Sequence, residues 1–333
     1  MKTTRKRSLL TVFGFVVLCL AGLSAIGLRG LLPGGSAEAQ VGTPVPTLIL
    51  PQPQTWVSGT GNDESRRCSR IEPCKSFRKA IATTQAGGIV SVLDPGNFIL
   101  SVSEPTVIDR SITIDGGGSE GTLVNAAGSG FEISAESFDR VILRNLSIQN
   151  VAPPGNTLGI FIITAGAVTI ENVRITGFSN GIGKSNSSQG NLYVNDSLIH
   201  SNSNAGVLCN SGQCTLENVR LENNGSGLRE FSNVTGTTTV VTMRRCLIAG
   251  SPNLGIFVSP GRLVMEDCMV TDNRIGISGN GTSTTILLSR NTIVNNDEGL
   301  QRFNGASLVS FGDNKLGLNT SDGASFNGFI APR

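Results

Sequence analysis

The sequence predicts an all-β chain wound into a right-handed parallel β-helix of about 8 to 10 rungs, closed at its N-terminal end by a short helix. Two observations carry this reading. A motif of alternating apolar residues recurs through the chain with a polar residue at its fifth place, as in Val141–Ile148, Val168–Ile175, Cys214–Leu221 and Val241–Ile248. Composition agrees: 42 Gly, 5% aromatic and 15% charged residues describe a chain of many turns, against about 25% charge in an average globular domain.

Residues 1–39 read as a targeting segment. Lys2, Arg5, Lys6 and Arg7 precede an apolar run from Leu9 to Leu28, and Ala37 and Ala39 present small residues to a signal peptidase. Cleavage before Gln40 gives a secreted or cell-envelope protein. The run 8–28 also has the length of a membrane anchor, which needs roughly 20 apolar residues, so both readings stand. Pro44, Pro46, Pro51 and Pro53 mark 40–54 as an extended tether.

Residues 55–87 read as the N-terminal cap. Phe77, Ala80, Ile81 and Thr84 recur at helical spacing within Lys75–Gln85 and predict an amphipathic lid over the first rung. At the far end Phe311, Phe326 and Phe329 are the residues available to plug the last rung, because an open solenoid end exposes both core and strand edge.

The coil is expected over 88–333. After each polar fifth residue the apolar phase shifts by one, and two period-2 strands joined by one out-of-phase residue must turn a corner to share a core. The corner column reads Asn145, Asn172, Asp196, Asn218, Arg245, Asp267, Arg290 and, less regularly, Asp313, at intervals of 22 to 27 residues. A second corner is expected near Asn202, Asn224, Asn273 and Asn296. It is followed by pairs such as Gly181-Ile182, Gly206-Val207, Gly255-Ile256 and Gly299-Leu300. Equivalent positions should stack about 4.8 Å apart, and the column before the corner, Arg144, Glu171, Asn195, Glu217, Arg244 and Glu266, never sets like charges on neighbouring rungs.

Six cysteines lie beyond the targeting segment, which holds Cys19. Cys68 with Cys74, and Cys209 with Cys214, are close enough in sequence to be local disulfides in an oxidising compartment. Cys246 and Cys268 should stack in the core; a bridge is sterically open to them, and packing as free thiols is the simpler expectation.

Trp56, Gly61-Asn-Asp63, Cys68-Ser-Arg, Pro73-Cys-Lys-Ser-Phe77, Ala86-Gly-Gly88, Leu93-Asp-Pro-Gly96 and Ser111–Ile114 carry a resemblance, as does the ending Ser310–Lys315 with Asn319 and Asp322-Gly323. The chain resembles a largely uncharacterised group of bacterial secreted proteins with right-handed parallel β-helix repeats. That resemblance implies the pectin-lyase-like fold and transfers no activity.

Function is constrained by what the sequence lacks. A net charge of +2 with few aromatics does not describe a nucleic-acid binder, which needs a basic stripe and stacking platforms. Polysaccharide lyases of this fold resemble one another in a Ca²⁺ site of clustered carboxylates with an Arg or Lys base, and hydrolases need close carboxylates. The sequence shows neither constellation, and no catalytic residue is assigned. The single histidine, His200, follows inward-facing Ile199 and should face solvent. No cofactor is expected; Ca²⁺ has only the unrepeated turn Gly59–Asp63 in its favour. The column Arg245, Asp267, Arg290 and Asp313 is the candidate polar site, with a register-setting salt-bridge ladder as its structural explanation. The expected function is a non-catalytic scaffold that binds a polysaccharide or cell-surface partner. The alternative is a divergent polysaccharide lyase or glycoside hydrolase.

Overall fold

A computed structural model describes residues 50–331, apart from 95, 101–105, 118–120, 126–128, 151–154 and 232–237. The targeting segment 1–39, its apolar run 8–28 and most of the tether 40–54 lie outside the described residues. Among the described residues, no helix is long and apolar enough to cross a membrane.

The coil is a right-handed parallel β-helix, and the strand pairings among its described residues obey one rule: each strand sits beside its equivalent one turn away. Its first two faces form a continuous sheet, because Arg140–Asn150 and Ala167–Thr176 bend across the corner without a break. Its third face is a separate ten-stranded sheet. Inward positions are filled by aliphatic side chains, such as Val141, Leu143 and Ile148, all fully buried. Parallel strands demand a crossover connection, and here the winding of the coil itself supplies it.

The first corner lies where the apolar phase breaks. Asn145, Asn172, Asp196, Asn218, Arg245, Asp267 and Arg290 all have left-handed backbone, with φ between 49° and 56°. Asp313 departs from this column. Gly312 takes the left-handed conformation instead, at φ 85°, and the Asp313 carboxylate accepts the Arg290 N–H at 3.0 Å. One additional residue separates Ser310, opposite Leu288, from Lys315, opposite Thr292. The glycine absorbs the turn that the aspartate was expected to make.

The second corner differs from expectation by one residue. The left-handed positions are Ser201, Asn223, Asp272 and Asn295, and the asparagine after each points inward. Asn202, Asn224, Asn273 and Asn296 are at most 2% exposed. Asn202 Nδ2 donates to Asn224 Oδ1 at 2.9 Å, Asn273 Nδ2 to Asn296 Oδ1 at 3.0 Å and Asn296 Nδ2 to Asn319 Oδ1 at 3.0 Å. An amide donates and accepts at once, so it can satisfy a neighbour on the next rung and backbone carbonyls within its own turn. The glycines that follow form a column of close approach: a Cβ on Gly206 would lie 2.7 Å from the Gly227 carbonyl oxygen, and one on Gly255 would lie 2.5 Å from that of Gly276.

The cap begins with the strand Gln52–Val57, whose first residues fall in the segment read as tether; it pairs in parallel with Thr84–Val92. The lid helix is Phe77–Thr83, shorter than Lys75–Gln85. Ser76 caps it by accepting from Lys79 N–H at 3.2 Å, and Phe77, Ala80 and Ile81 are its buried face. Thr84 is buried as the first residue of the next strand, with its hydroxyl on Ala80 O at 2.7 Å and on the Thr55 hydroxyl at 2.8 Å. The Phe77 ring meets Phe98 edge-on at 5.0 Å and Phe131 at 5.8 Å, which seals the first turns. The other end is covered less well than expected. Phe326 packs against the core, Phe311 is half-buried on the flank, and Phe329 is 72% exposed, so three rings do not form a plug.

Cys68–Cys74 and Cys209–Cys214 are disulfides, while Cys246 and Cys268 are buried free thiols. The thiols stack on neighbouring rungs, with Cys246 N–H donating to Cys268 Sγ at 3.3 Å.

Candidate functional site

The column before the first corner runs Asp115, Arg144, Glu171, Asn195, Glu217, Arg244, Glu266 and Ser289 in direct register. Together with the corner residues it forms one charged edge along the coil. Most of its charge is spent in pairs. Arg144 bridges to Asp115 at 2.8 Å and Arg244 to Glu266 at 3.2 Å. Arg245 reaches back to Glu217, and Arg290 contacts Glu266 and meets Asp267 at 2.8 Å.

The four residues of the predicted polar column therefore do not converge on one point. Asp267 and Arg290 pair directly, Arg245 leaves the column for Glu217, and Asp313 binds the Arg290 N–H and the Ser289 hydroxyl, both at 3.0 Å. The Arg290 guanidinium holds Asp267 below the usual carboxylate range, and the Arg290 N–H does the same to Asp313. Each contact ties one rung to the next. Exposed pairs of this kind set register more than they add stability.

The edge also carries a ladder of amides, and that ladder is broken at one place. Asn172 Nδ2 donates to Asn145 Oδ1 at 2.9 Å, and Asn145 Nδ2 donates to Asp115 Oδ1 at 2.8 Å. Against a penalty from burial, Asn145, the Gly117 N–H and Arg144 hold Asp115 ionised to lower pH than a free aspartate. On the other side Asn218 Nδ2 donates to Asp196 Oδ1 at 2.6 Å. Among the described residues no hydrogen bond joins Asn172 to Asp196, and Glu171 has no ion-pair partner.

Two clefts meet at this break. One, of about 390 Å³, is lined by Asn145, Ser147, Asn172, Arg174, Asp196 and Leu198, with Leu146 and Val173 as its apolar floor. The other, of about 430 Å³, is lined by Glu171, Asn195, Asp196, Glu217, Asn218 and Arg245. Asp196 belongs to both. Carboxylates, amides and a guanidinium around a small apolar floor are the groups that hydrogen-bond polyols while packing against their C–H faces.

The second face contributes a polar cluster that sequence reasoning left unconnected. His200 is half-buried beside Arg174, not fully in solvent. Arg174 Nε donates to His200 Nε2 at 3.1 Å, and His200 Nδ1 lies 3.1 Å from the Ser201 hydroxyl. Burial, then the Arg174 charge, push the imidazolium to a lower pKa than a free histidine. The residues Arg174 and His200 are 26 apart in sequence, and only their outward positions on neighbouring strands hint at the contact.

Elsewhere, Asp63 of the turn Gly59–Asp63 accepts the N–H groups of Lys75 and Ser76, each at 2.9 Å, so this carboxylate fastens the start of the lid helix. Among the described residues, no group of three or more His, Cys, Asp or Glu side chains is arranged to hold a metal ion. Two buried charges had no signal in the sequence. Lys184 is 1% exposed, with Nζ donating to Gly190 O at 2.5 Å and Ser211 O at 2.6 Å. Glu230 is fully buried, with Oε2 accepting from Ser259 N–H at 2.8 Å.

This architecture is that of a β-solenoid with a polar exterior edge. Residues 129–325 match the family described as a right handed beta helix region, and the chain belongs to that family. No curated protein matches it in sequence. Among solved structures it is similar to pectate lyase Pel9A, at 17% identity over 85% of this chain and 77% of that one, with a TM-score of 0.50. It is also similar to the A-module of the Azotobacter vinelandii mannuronan C-5 epimerase AlgE6, at 14% identity over 77% of this chain and 94% of that one, with a TM-score of 0.51. At these identities the likeness is one of fold, the pectin-lyase-like β-helix.

Proposed function

We propose that the chain is an exported, non-catalytic scaffold of the cell envelope or extracellular space that binds a polysaccharide along its first corner. The observation that carries this reading is the break between Asn172 and Asp196, where two clefts meet and where Glu171, Asp196 and Arg174 retain unspent hydrogen-bonding capacity. Everywhere else along the edge the charges are tied into rung-to-rung pairs, which suits a rigid rod presenting a repetitive surface. Export is supported by the leader-like residues 1–39 and by two disulfides, which persist in oxidising compartments. Contact with a membrane would come only through residues 8–28. A cell-surface protein is the other partner class that such an edge could serve, and nucleic acid is not among them.

A second reading, a divergent polysaccharide lyase or glycoside hydrolase, draws on the carboxylates of Glu171 and Asp196, which among the described residues have no cationic partner. A glycan-binding screen of the full-length chain, beside product assays on pectic, alginate and glycosaminoglycan substrates with and without Ca²⁺, separates the two. Binding without turnover supports the scaffold. Turnover abolished by E171Q or D196N supports the enzyme, and neither binding nor turnover removes both.

A further inference from the structure

The exterior of the second face carries two arginines near the corner cleft, and they differ in one respect. Arg220 is neutralised by Glu222, with Nη2 and Oε1 2.6 Å apart. Arg174 lines the cleft and has no carboxylate partner among the described residues. Among the described residues its guanidinium makes one hydrogen bond, through Nε to His200 Nε2 at 3.1 Å. That contact requires an unprotonated Nε2, since the guanidinium can only donate. It leaves both terminal nitrogens of Arg174 with donors to offer, in the fork geometry that matches a planar carboxylate or a sulfate.

We propose that Arg174 is the anion anchor of this cleft, that His200 is the positioning residue that aims it, and that the cleft takes a saccharide unit bearing a carboxylate or a sulfate. The inference rests on the glycan-binding reading and adds to it the charge of the ligand and the residues that select it. The rest of the lining suits the same unit. Asp196 and the Asn172 carbonyl oxygen accept sugar hydroxyls, and Leu146, Val173 and Leu198 provide an apolar floor for a ring face. Glu171 and Asp196 repel a second anionic group on the corner side, so the charged substituent is directed toward the second face. A guanidinium without a carboxylate partner, in a cleft whose other lining is amides, one carboxylate and an apolar floor, is the group that separates acidic from neutral sugars.

The test measures binding of three probes to the full-length chain by calorimetry: an oligogalacturonide, its carboxyl-reduced neutral counterpart, and a sulfated oligosaccharide of equal length. The expected result is tighter binding of one or both acidic probes than of the neutral one by about tenfold or more, the scale of a charge-assisted hydrogen-bond pair. R174Q removes that preference. H200A weakens acidic binding several-fold while H200Q, whose amide oxygen can still accept from Arg174 Nε, retains it; a merely structural role for His200 would not give this rescue. The two acidic probes distinguish carboxylate from sulfate. Equal affinity for acidic and neutral probes, or an R174Q chain that keeps the preference, overturns the anchor and leaves the scaffold reading standing. H200Q as weak as H200A overturns the positioning role, and no binding of any probe by the parent chain removes both proposals.

Discussion

Replacing Asn296 by alanine is expected to destabilise the coil by about 3–5 kcal/mol, several times the effect of an ordinary surface change. Asn296 is 1% exposed. Its Oδ1 accepts from the N–H and the Nδ2 of Asn273, each at 3.0 Å. Its Nδ2 donates to Val270 O at 3.1 Å, Val294 O at 3.0 Å and Asn319 Oδ1 at 3.0 Å. Truncation leaves the Asn273 N–H buried without a partner, a cost of about 1–3 kcal/mol, and removes the bonds made by the two Nδ2 hydrogens, worth roughly 1 kcal/mol each, while Asn273 Nδ2 keeps the Ile248 and Thr271 carbonyls as acceptors. Urea titration followed by circular dichroism reads the total: with a slope at the upper end of the usual range, the midpoint should fall by about 1–2 M. Hydrogen exchange at the Asn273 amide reads the cause, because that proton should lose its protection before its neighbours do. A midpoint within about 0.3 M of the parent, with the Asn273 amide still protected, would refute the claim that the buried amides hold the second corner.

Other outcomes follow from the same packing. G206A should cost about 1–3 kcal/mol, because its Cβ would meet the Gly227 carbonyl oxygen at 2.7 Å; thermal unfolding of the variant checks this. V270D places a carboxylate at a position with no solvent exposure and should abolish cooperative unfolding of the neighbouring rungs, so an unchanged thermal midpoint would show the inward register to be wrong. Burial pulls the Lys184 ammonium down to about 8 from an ordinary 10.5. The unfolded chain therefore holds that proton over a range where the folded chain has released it, and stability should rise with pH between those two values. The pH dependence of the denaturation midpoint, taken as parent minus K184M, should show that rise, and a flat difference would contradict it.

Much of this protein was determined by local pattern. A single residue out of phase between two alternating runs can be accommodated only by a corner, so Asn145, Asn172, Asp196, Asn218, Arg245, Asp267 and Arg290 could be placed from sequence, and their shared left-handed backbone agrees. Charge alternation in the column from Arg144 to Glu266 was legible for the same reason: rungs of near-constant length force equivalents to stack. Tertiary structure decided what period alone cannot encode. The asparagines of the second corner are inside because the residue before each takes the turn, a one-residue choice that pairs such as Asn223-Asn224 and Asn295-Asn296 do not reveal. Arg245 turned to Glu217 and Arg290 to Glu266 as well as Asp267, since long side chains reach diagonally between rungs. Arg174 met His200, and the amide ladder broke between Asn172 and Asp196, through contacts between outward side chains on separate turns. Outward positions escape the packing constraint that makes the core periodic, so the sequence could specify the rod while the site on its surface emerged only from how neighbouring rungs align.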